Sequence, residues 1–192
     1  MKKTLFLSLP LVLIATSPAF AHLNPAEHGS FAAGFSHPMF GTDHILAMVA
    51  VGLWAVLLGG RALWLVPAAF VGTMMAGFFF AIAGAPLPFV EPTILASVVA
   101  IGLFAAVAIK VPTSIAMLLV GFFALFHGHA HGGEMGAATA ISYLLGFAVA
   151  TTLLHAVGLG LGTLLGAGRG RVMIRAAGAG TAFAGLWLAF GA

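Results

Sequence analysis

Four residues in the second half of the chain have the side chains and spacing of a metal-binding motif. His127, His129 and His131 alternate with small residues, and Glu134 follows one helical turn later. Residues four apart share a face of an α-helix, so His127 and His131 would point together and His129 elsewhere. Imidazole and carboxylate groups suit borderline divalent metals such as Ni²⁺, Co²⁺ or Zn²⁺. The spacing predicts metal capture by His127, His131 and Glu134; the alternative is a group of surface histidines without a ligand.

A second group, formed by His37, Asp43 and His44, stands at the beginning of a long apolar segment. Charged and imidazole groups are costly inside a membrane, where they usually mark a functional path. A continuous helix would put His37 and His44 on one face. Pro38 and Gly41, however, predict a break between them, and broken helices build ion sites in transporters. We interpret the group as a metal site. In the alternative, Asp43 caps a helix and His44 hydrogen-bonds a neighbouring helix.

Two further polar residues can each be interpreted in two ways. Glu91, one of only four acidic residues, precedes Pro92 at the start of an apolar segment. It is either a further oxygen ligand or a first-turn acid favoured by the helix dipole. His155 lies inside another apolar segment and is either a packing histidine or a step on an ion path.

Enzymatic chemistry is not expected of this chain. It has no cysteine, which excludes thiolate metal sites and cysteine nucleophiles. It also has no phosphate-binding motif and no nucleophile–base pair. We therefore predict that the protein is not an enzyme, does not hydrolyse ATP and holds no cofactor, so that a metal ion would be its cargo.

The elements that must position these residues are membrane helices. Of the 192 residues, 62% are hydrophobic and only 6% are charged, with a mean hydropathy of +1.18. An average soluble domain has roughly 25% charged residues. This composition excludes a soluble globular enzyme, a disordered protein and a nucleic-acid binder, and it predicts a lipid bilayer as partner. Six segments are long enough to cross a membrane, at about 41–59, 62–84, 92–109, 112–130, 137–166 and 172–191.

The N-terminus resembles a secretory signal. Two lysines precede a short apolar stretch, and Ala19-Phe20-Ala21 follows it as a cleavage pattern. We predict a signal peptide over residues 1–21 and a single transmembrane domain, all-α with six helices, over residues 22–192. If residue 22 lies in the periplasm, the six spans return the C-terminus there. The basic side chains of this domain then all face the cytoplasm, as the positive-inside rule requires: Arg61, Lys110, Arg169, Arg171 and Arg175.

The two polar motifs resemble those of the HupE/UreJ family of membrane metal permeases. One is His-x5-Asp-His, formed here by His37, Asp43 and His44. The other is Phe-His-Gly-x-Ala-x-Gly-x-Glu, which here extends from Phe126 to Glu134. Together with the signal peptide and six spans, the resemblance covers essentially the whole chain. It implies secondary uptake of nickel, or of cobalt in some members, and an indirect supply of metal to hydrogenase or urease maturation.

We therefore predict a bacterial inner-membrane permease that takes Ni²⁺ from the periplasm to the cytoplasm. In this hypothesis His127, His131 and Glu134 bind the ion first, at the outer surface of the membrane. His37, Asp43 and His44 then bind it, with Glu91 as an additional ligand. The alternative is a membrane-bound accessory protein that captures periplasmic metal without transporting it. The sequence leaves the choice between nickel and cobalt open, as well as the oligomeric state, a homo-oligomer included.

Overall fold

The computed structural model describes residues 29–166 and 168–191, and within these ranges every regular element is an α-helix. The predicted all-α fold is therefore confirmed for this part of the chain. The predicted signal peptide lies outside the described residues. In chain order the helices are α1 Ser30–Phe40, α2 Thr42–Leu58, α3 Ala62–Ile82, α4 Val90–Val107, α5 Thr113–Glu134, α6 Ala140–Leu165 and α7 Arg169–Phe190.

Five of the described helices, α3 to α7, are long and apolar enough to cross a membrane. The pair α1 and α2 meets the same criterion only when taken together, and its two halves are bent by 78°. The described chain therefore has five candidate spans, or six if the bent pair is a single broken span. The protein is a helical multi-pass membrane protein, and its first predicted span corresponds to α2.

The break between α1 and α2 falls at Gly41, within the interval that the sequence predicted. Pro38 lies inside α1, where its ring removes a backbone N–H donor. Gly41 has an extended backbone, ends α1 and serves as the N-cap residue of α2. The sequence analysis did not predict a helix before this break. Its presence matters because α1 brings His37 back towards the helix bundle.

Close helix contacts hold the bundle together, most extensively between α3 and α5, α4 and α7, and α6 and the bent pair. Glycines lie at the crossings: Gly52 of α2 faces Gly158 of α6, and Gly128 of α5 rests against the backbone of Met74. A Cβ atom at any of these glycines would clash with the facing helix. The small residues therefore serve helix packing, as expected in membranes, where apolar burial alone does not drive helix association.

The two ends of the bundle differ in chemistry. At one end, called here the basic end, are the turns after α2 and α4, which hold Arg61 and Lys110, and the first two turns of α7, which hold Arg169, Arg171 and Arg175. Two hydrogen bonds connect α2 to the turn after α4 at this end. Trp54 Nε1 donates to the carbonyl of Ile109 at 3.1 Å, and Lys110 donates to the carbonyl of Leu57. The opposite end, called the histidine end, holds the α1–α2 break, the C-terminus of α5 and the N-terminus of α6.

Candidate metal site

Three buried histidines meet at the histidine end. His37 comes from the last turn of α1, His44 from the first turn of α2 and His131 from the last turn of α5. Each offers one ring nitrogen, and these three atoms lie within 4.8 Å of one another. No more than 6% of each residue is exposed. Small side-chain adjustments would bring three such imidazoles onto one divalent ion, with bonds of about 2 Å.

Asp43 orients one of these rings. Its Oδ1 lies 2.8 Å from Nδ1 of His44. An ionised carboxylate can only accept, so Nδ1 of His44 donates this bond and Nε2 keeps its lone pair. Nε2 of His44 points at Nε2 of His131, 2.5 Å away. A carboxylate behind an imidazole in this way fixes the tautomer and raises the basicity of a metal-ligating histidine.

The alternative role of Asp43 as a helix cap is not supported, because Gly41 occupies the N-cap position of α2. The clustered ligand atoms come from His37, His44 and His131, so Asp43 stands one layer behind them through its contact with His44. Direct ligation by Asp43 stays a prediction.

Glu134 has a similar position at the rim. Its Oε2 lies 3.6 Å from Nδ1 of His131, and about half of its side chain is exposed. The sequence analysis predicted that His131 and Glu134 belong to an outer metal-binding site, separate from the group around His44. The structure differs: α5 continues as a helix to Glu134, and its last turn carries His131 into the same buried cluster. The two motifs form one site.

His127 lies one turn deeper and is fully buried. Its ring centroid is 5.2 Å from that of His44. Ser97 Oγ donates to the carbonyl of Ile94 at 2.6 Å, so it must accept from Nε2–H of His127, 3.0 Å away. Nδ1 of His127 therefore carries the lone pair, and it has no hydrogen-bond partner among the described residues. The sequence analysis missed Ser97; its only signal was a hydroxyl within an apolar span.

Two glycines of the motifs make room for this arrangement. A Cβ atom at Gly41 would lie 2.8 Å from Nδ1 of His44 and 3.1 Å from Oδ1 of Asp43. At Gly128, a Cβ atom would collide with the backbone of Met74 in α3. Because Gly41 has no side chain, Asp43 and His44 can pack against the break. Because Gly128 has none, α5 can approach α3 closely, which places the neighbouring His127 in the interior.

Two residues of the sequence analysis lie apart from the cluster. His129 faces away, as its spacing predicted, and its Nε2 donates to the carbonyl of Ala85 at 2.8 Å. Glu91 is exposed in the first turn of α4 and lines a groove between α4 and α7. It is not one of the clustered groups, and its role as a metal ligand stays a prediction.

Comparisons with known proteins identify the family of this chain. A family profile described as HupE / UreJ protein matches residues 10–188. The chain is 46% identical over 176 residues to Protein HupE of Rhizobium leguminosarum bv. viciae, and the alignment covers 91% of this chain and 92% of that protein. No solved structure is significantly similar. The family match includes the bent pair, the histidine cluster and all the helices that position it, and on this ground the chain belongs to the HupE/UreJ family.

Proposed function

We propose that this protein is a permease that carries Ni²⁺ through the bacterial cytoplasmic membrane, from the periplasm to the cytoplasm. The observation that supports this most is the buried cluster of His37, His44 and His131, whose ligand atoms lie within 4.8 Å of one another in a membrane domain. Imidazole suits nickel and cobalt, and the family association favours nickel as cargo. The metal delivered would supply hydrogenase or urease maturation.

The proposed binding step exchanges water for imidazole. A hydrated ion enters past the half-exposed Glu134 and the part-buried Asp43, whose carboxylates attract a dication. The three ring nitrogens then replace water, and the two carboxylates behind His44 and His131 offset the charge of the ion. Binding must stay moderate because a transport site has to release its ion.

The driving force would come from the membrane potential. Inward movement of one positive charge releases roughly 2.3 kcal/mol per 100 mV, so inward movement of a dication at 100 mV releases about 4.6 kcal/mol. This step needs no catalysis, and we propose that the chain is not an enzyme.

The proposed topology has six spans, with the bent pair of α1 and α2 counted as one, after removal of residues 1–21. The positive-inside rule then puts the basic end in the cytoplasm and both mature termini in the periplasm. A C-terminal alkaline phosphatase fusion should be active and a C-terminal green fluorescent protein fusion dark. The opposite pair of results would refute this topology.

The other candidate function is metal capture without transport. It is favoured by the position of the cluster, which lies near one end of the bundle. A capture protein would bind Ni²⁺ at the same histidines, but the ion would not reach the far side of the membrane.

Uptake by proteoliposomes separates the two functions. The purified protein is reconstituted, an inside-negative potential is imposed with potassium and valinomycin, and internal Ni²⁺ is measured. We expect potential-dependent uptake by the wild type, no uptake by His131→Ala, and normal uptake by His129→Ala, the matched control two residues away. Binding of Ni²⁺ by the wild type without uptake would refute the permease and favour capture. Equal loss in the two variants would refute the assignment of the site.

A further inference from the structure

His155 is a buried histidine that the cluster does not use. Only 1% of the residue is exposed, and neither ring nitrogen has a hydrogen-bond partner among the described residues. An imidazole always carries at least one N–H donor, and a neutral ring also carries a lone pair. Burying both without partners is unfavourable, whereas an apolar side chain of similar size would avoid that cost. Helix packing alone therefore does not explain why a histidine occupies this position.

The position of His155 relates it to the cluster. Phe147 of α6 packs on His131, and His155 follows about two turns later, towards the basic end. Phe70 of α3 contacts both deeper histidines, with its ring centroid 5.6 Å from that of His127 and 5.0 Å from that of His155. Both imidazoles thus contact one aromatic ring in the interior of the bundle.

Other donor atoms lie between His155 and the histidine end. Thr151 precedes His155 by one turn of α6, and Met74 follows Phe70 by one turn of α3. Both are buried, and Thr151 Oγ1 donates to Sδ of Met74 at 3.6 Å. His155 also borders an open, largely apolar groove of about 530 Å³ between α3 and α6, which extends to Leu63 near the basic end. Donor groups thus continue from the cluster as far as His155, and the groove beside it continues towards the basic end.

We propose that His155 is an inner metal ligand, which receives the ion from the histidine cluster and passes it towards the basic end. This inference rests on the proposed transport function and extends it to the exit path. His155 would act as a transient ligand of Ni²⁺, with the hydroxyl of Thr151 and the thioether of Met74 as weaker donors on the way. A pure capture protein would have no use for a ligand at this depth.

The test compares binding and uptake in one variant. His155→Leu keeps the position apolar and filled. The matched control is Thr163→Val, because Thr163 is exposed on the same helix, donates to the carbonyl of Gly160 and does not line the groove beside His155. Co²⁺ binding to the detergent-purified protein, followed by its visible absorption, reports the cluster. Ni²⁺ uptake by proteoliposomes reports transport. Thermal unfolding reports stability.

We expect His155→Leu to bind the first equivalent of Co²⁺ as the wild type does and to unfold at the same or a higher temperature. Its uptake should be slower by about tenfold or more, whereas Thr163→Val should match the wild type. Normal uptake by His155→Leu, beside an active wild type, would overturn the inner ligand and leave the permease intact. Loss of the first Co²⁺ equivalent would also overturn it, by placing His155 in the primary site. An inactive wild type would instead defeat the proposed function itself.

Discussion

The histidine end and the basic end of the bundle use their polar groups in opposite ways. At the basic end the cations lie at the surface, and two of them bond to helix C-termini: Lys110 donates to the carbonyl of Leu57 near the end of α2, and Arg175 Nε donates to that of Ala106 in the last turn of α4, at 2.8 Å. Cations are favourable at helix C-termini. At the histidine end the three clustered imidazoles are buried, with carboxylates behind two of them.

The difference indicates which charges serve folding and orientation and which serve chemistry. A cation on a terminal carbonyl is locally satisfied and needs no ligand. Ring nitrogens that converge in a buried space are placed to share one ligand, and imidazole suits a borderline divalent metal. Removing one charge at each end should therefore have very different consequences.

The largest effect is expected from Asp43→Asn. The variant keeps the size of the side chain and an oxygen that can accept from His44, but it removes the negative charge behind the ring. Ligand partners of this type change metal affinity or activity by about 10- to 100-fold, and we expect the upper part of that range. Ni²⁺ uptake and the amount of protein in the membrane should be measured together. Normal uptake at normal protein level would refute the role of Asp43 in the site.

Gly41→Ala tests whether the close approach at the break is needed. The added methyl group would push against Nδ1 of His44 and Oδ1 of Asp43. Displacement of a reacting group by about 1 Å can cost on the order of 100-fold in rate, and local relaxation should make the loss smaller here. Uptake should fall, while Gly180→Ala, at a position of α7 with open space, should be silent. Equal uptake by both variants would contradict the tight geometry.

A smaller loss is expected from Ser97→Ala. Without the hydroxyl, Nε2–H of His127 loses its acceptor, and the ring is free to change tautomer. The sequence predicts His127 as a further metal ligand, and on that prediction we expect Ni²⁺ affinity to fall by about tenfold. ¹⁵N NMR of the histidine rings would report the tautomer directly: Nε2–H in the wild type and a mixture in the variant. An unchanged spectrum would show that Ser97 does not orient His127.

The smallest effect on uptake is expected at the basic end. Lys110→Gln removes one charge from the C-terminus of α2 and should cost roughly 0.3–1 kcal/mol of stability through the helix dipole. Uptake per molecule of protein should be unchanged, with a lower midpoint of thermal unfolding. A transport defect as large as that of Asp43→Asn would erase the distinction between the two ends.

Residue types and spacing were sufficient for several features. The low charge and long apolar segments predicted the membrane helices, because backbone groups in lipid must be satisfied within a helix. Pro38 and Gly41 predicted the break, since a missing N–H and a missing Cβ act locally. The four-residue spacing of His127 and His131 also separated them correctly from His129.

Only the tertiary structure decided which of these residues meet. His44 and His131 are 87 residues apart, and their contact depends on how α2 and α5 cross in the bundle. Likewise, Ser97 behind His127 and Phe70 beside His155 are set by side-chain packing between helices. In a membrane the apolar pattern is nearly uniform around each helix, so periodicity does not reveal which face is buried. For this reason the sequence determined the candidate ligands and the break between His37 and His44, whereas helix packing decided that two separate motifs meet in one cluster.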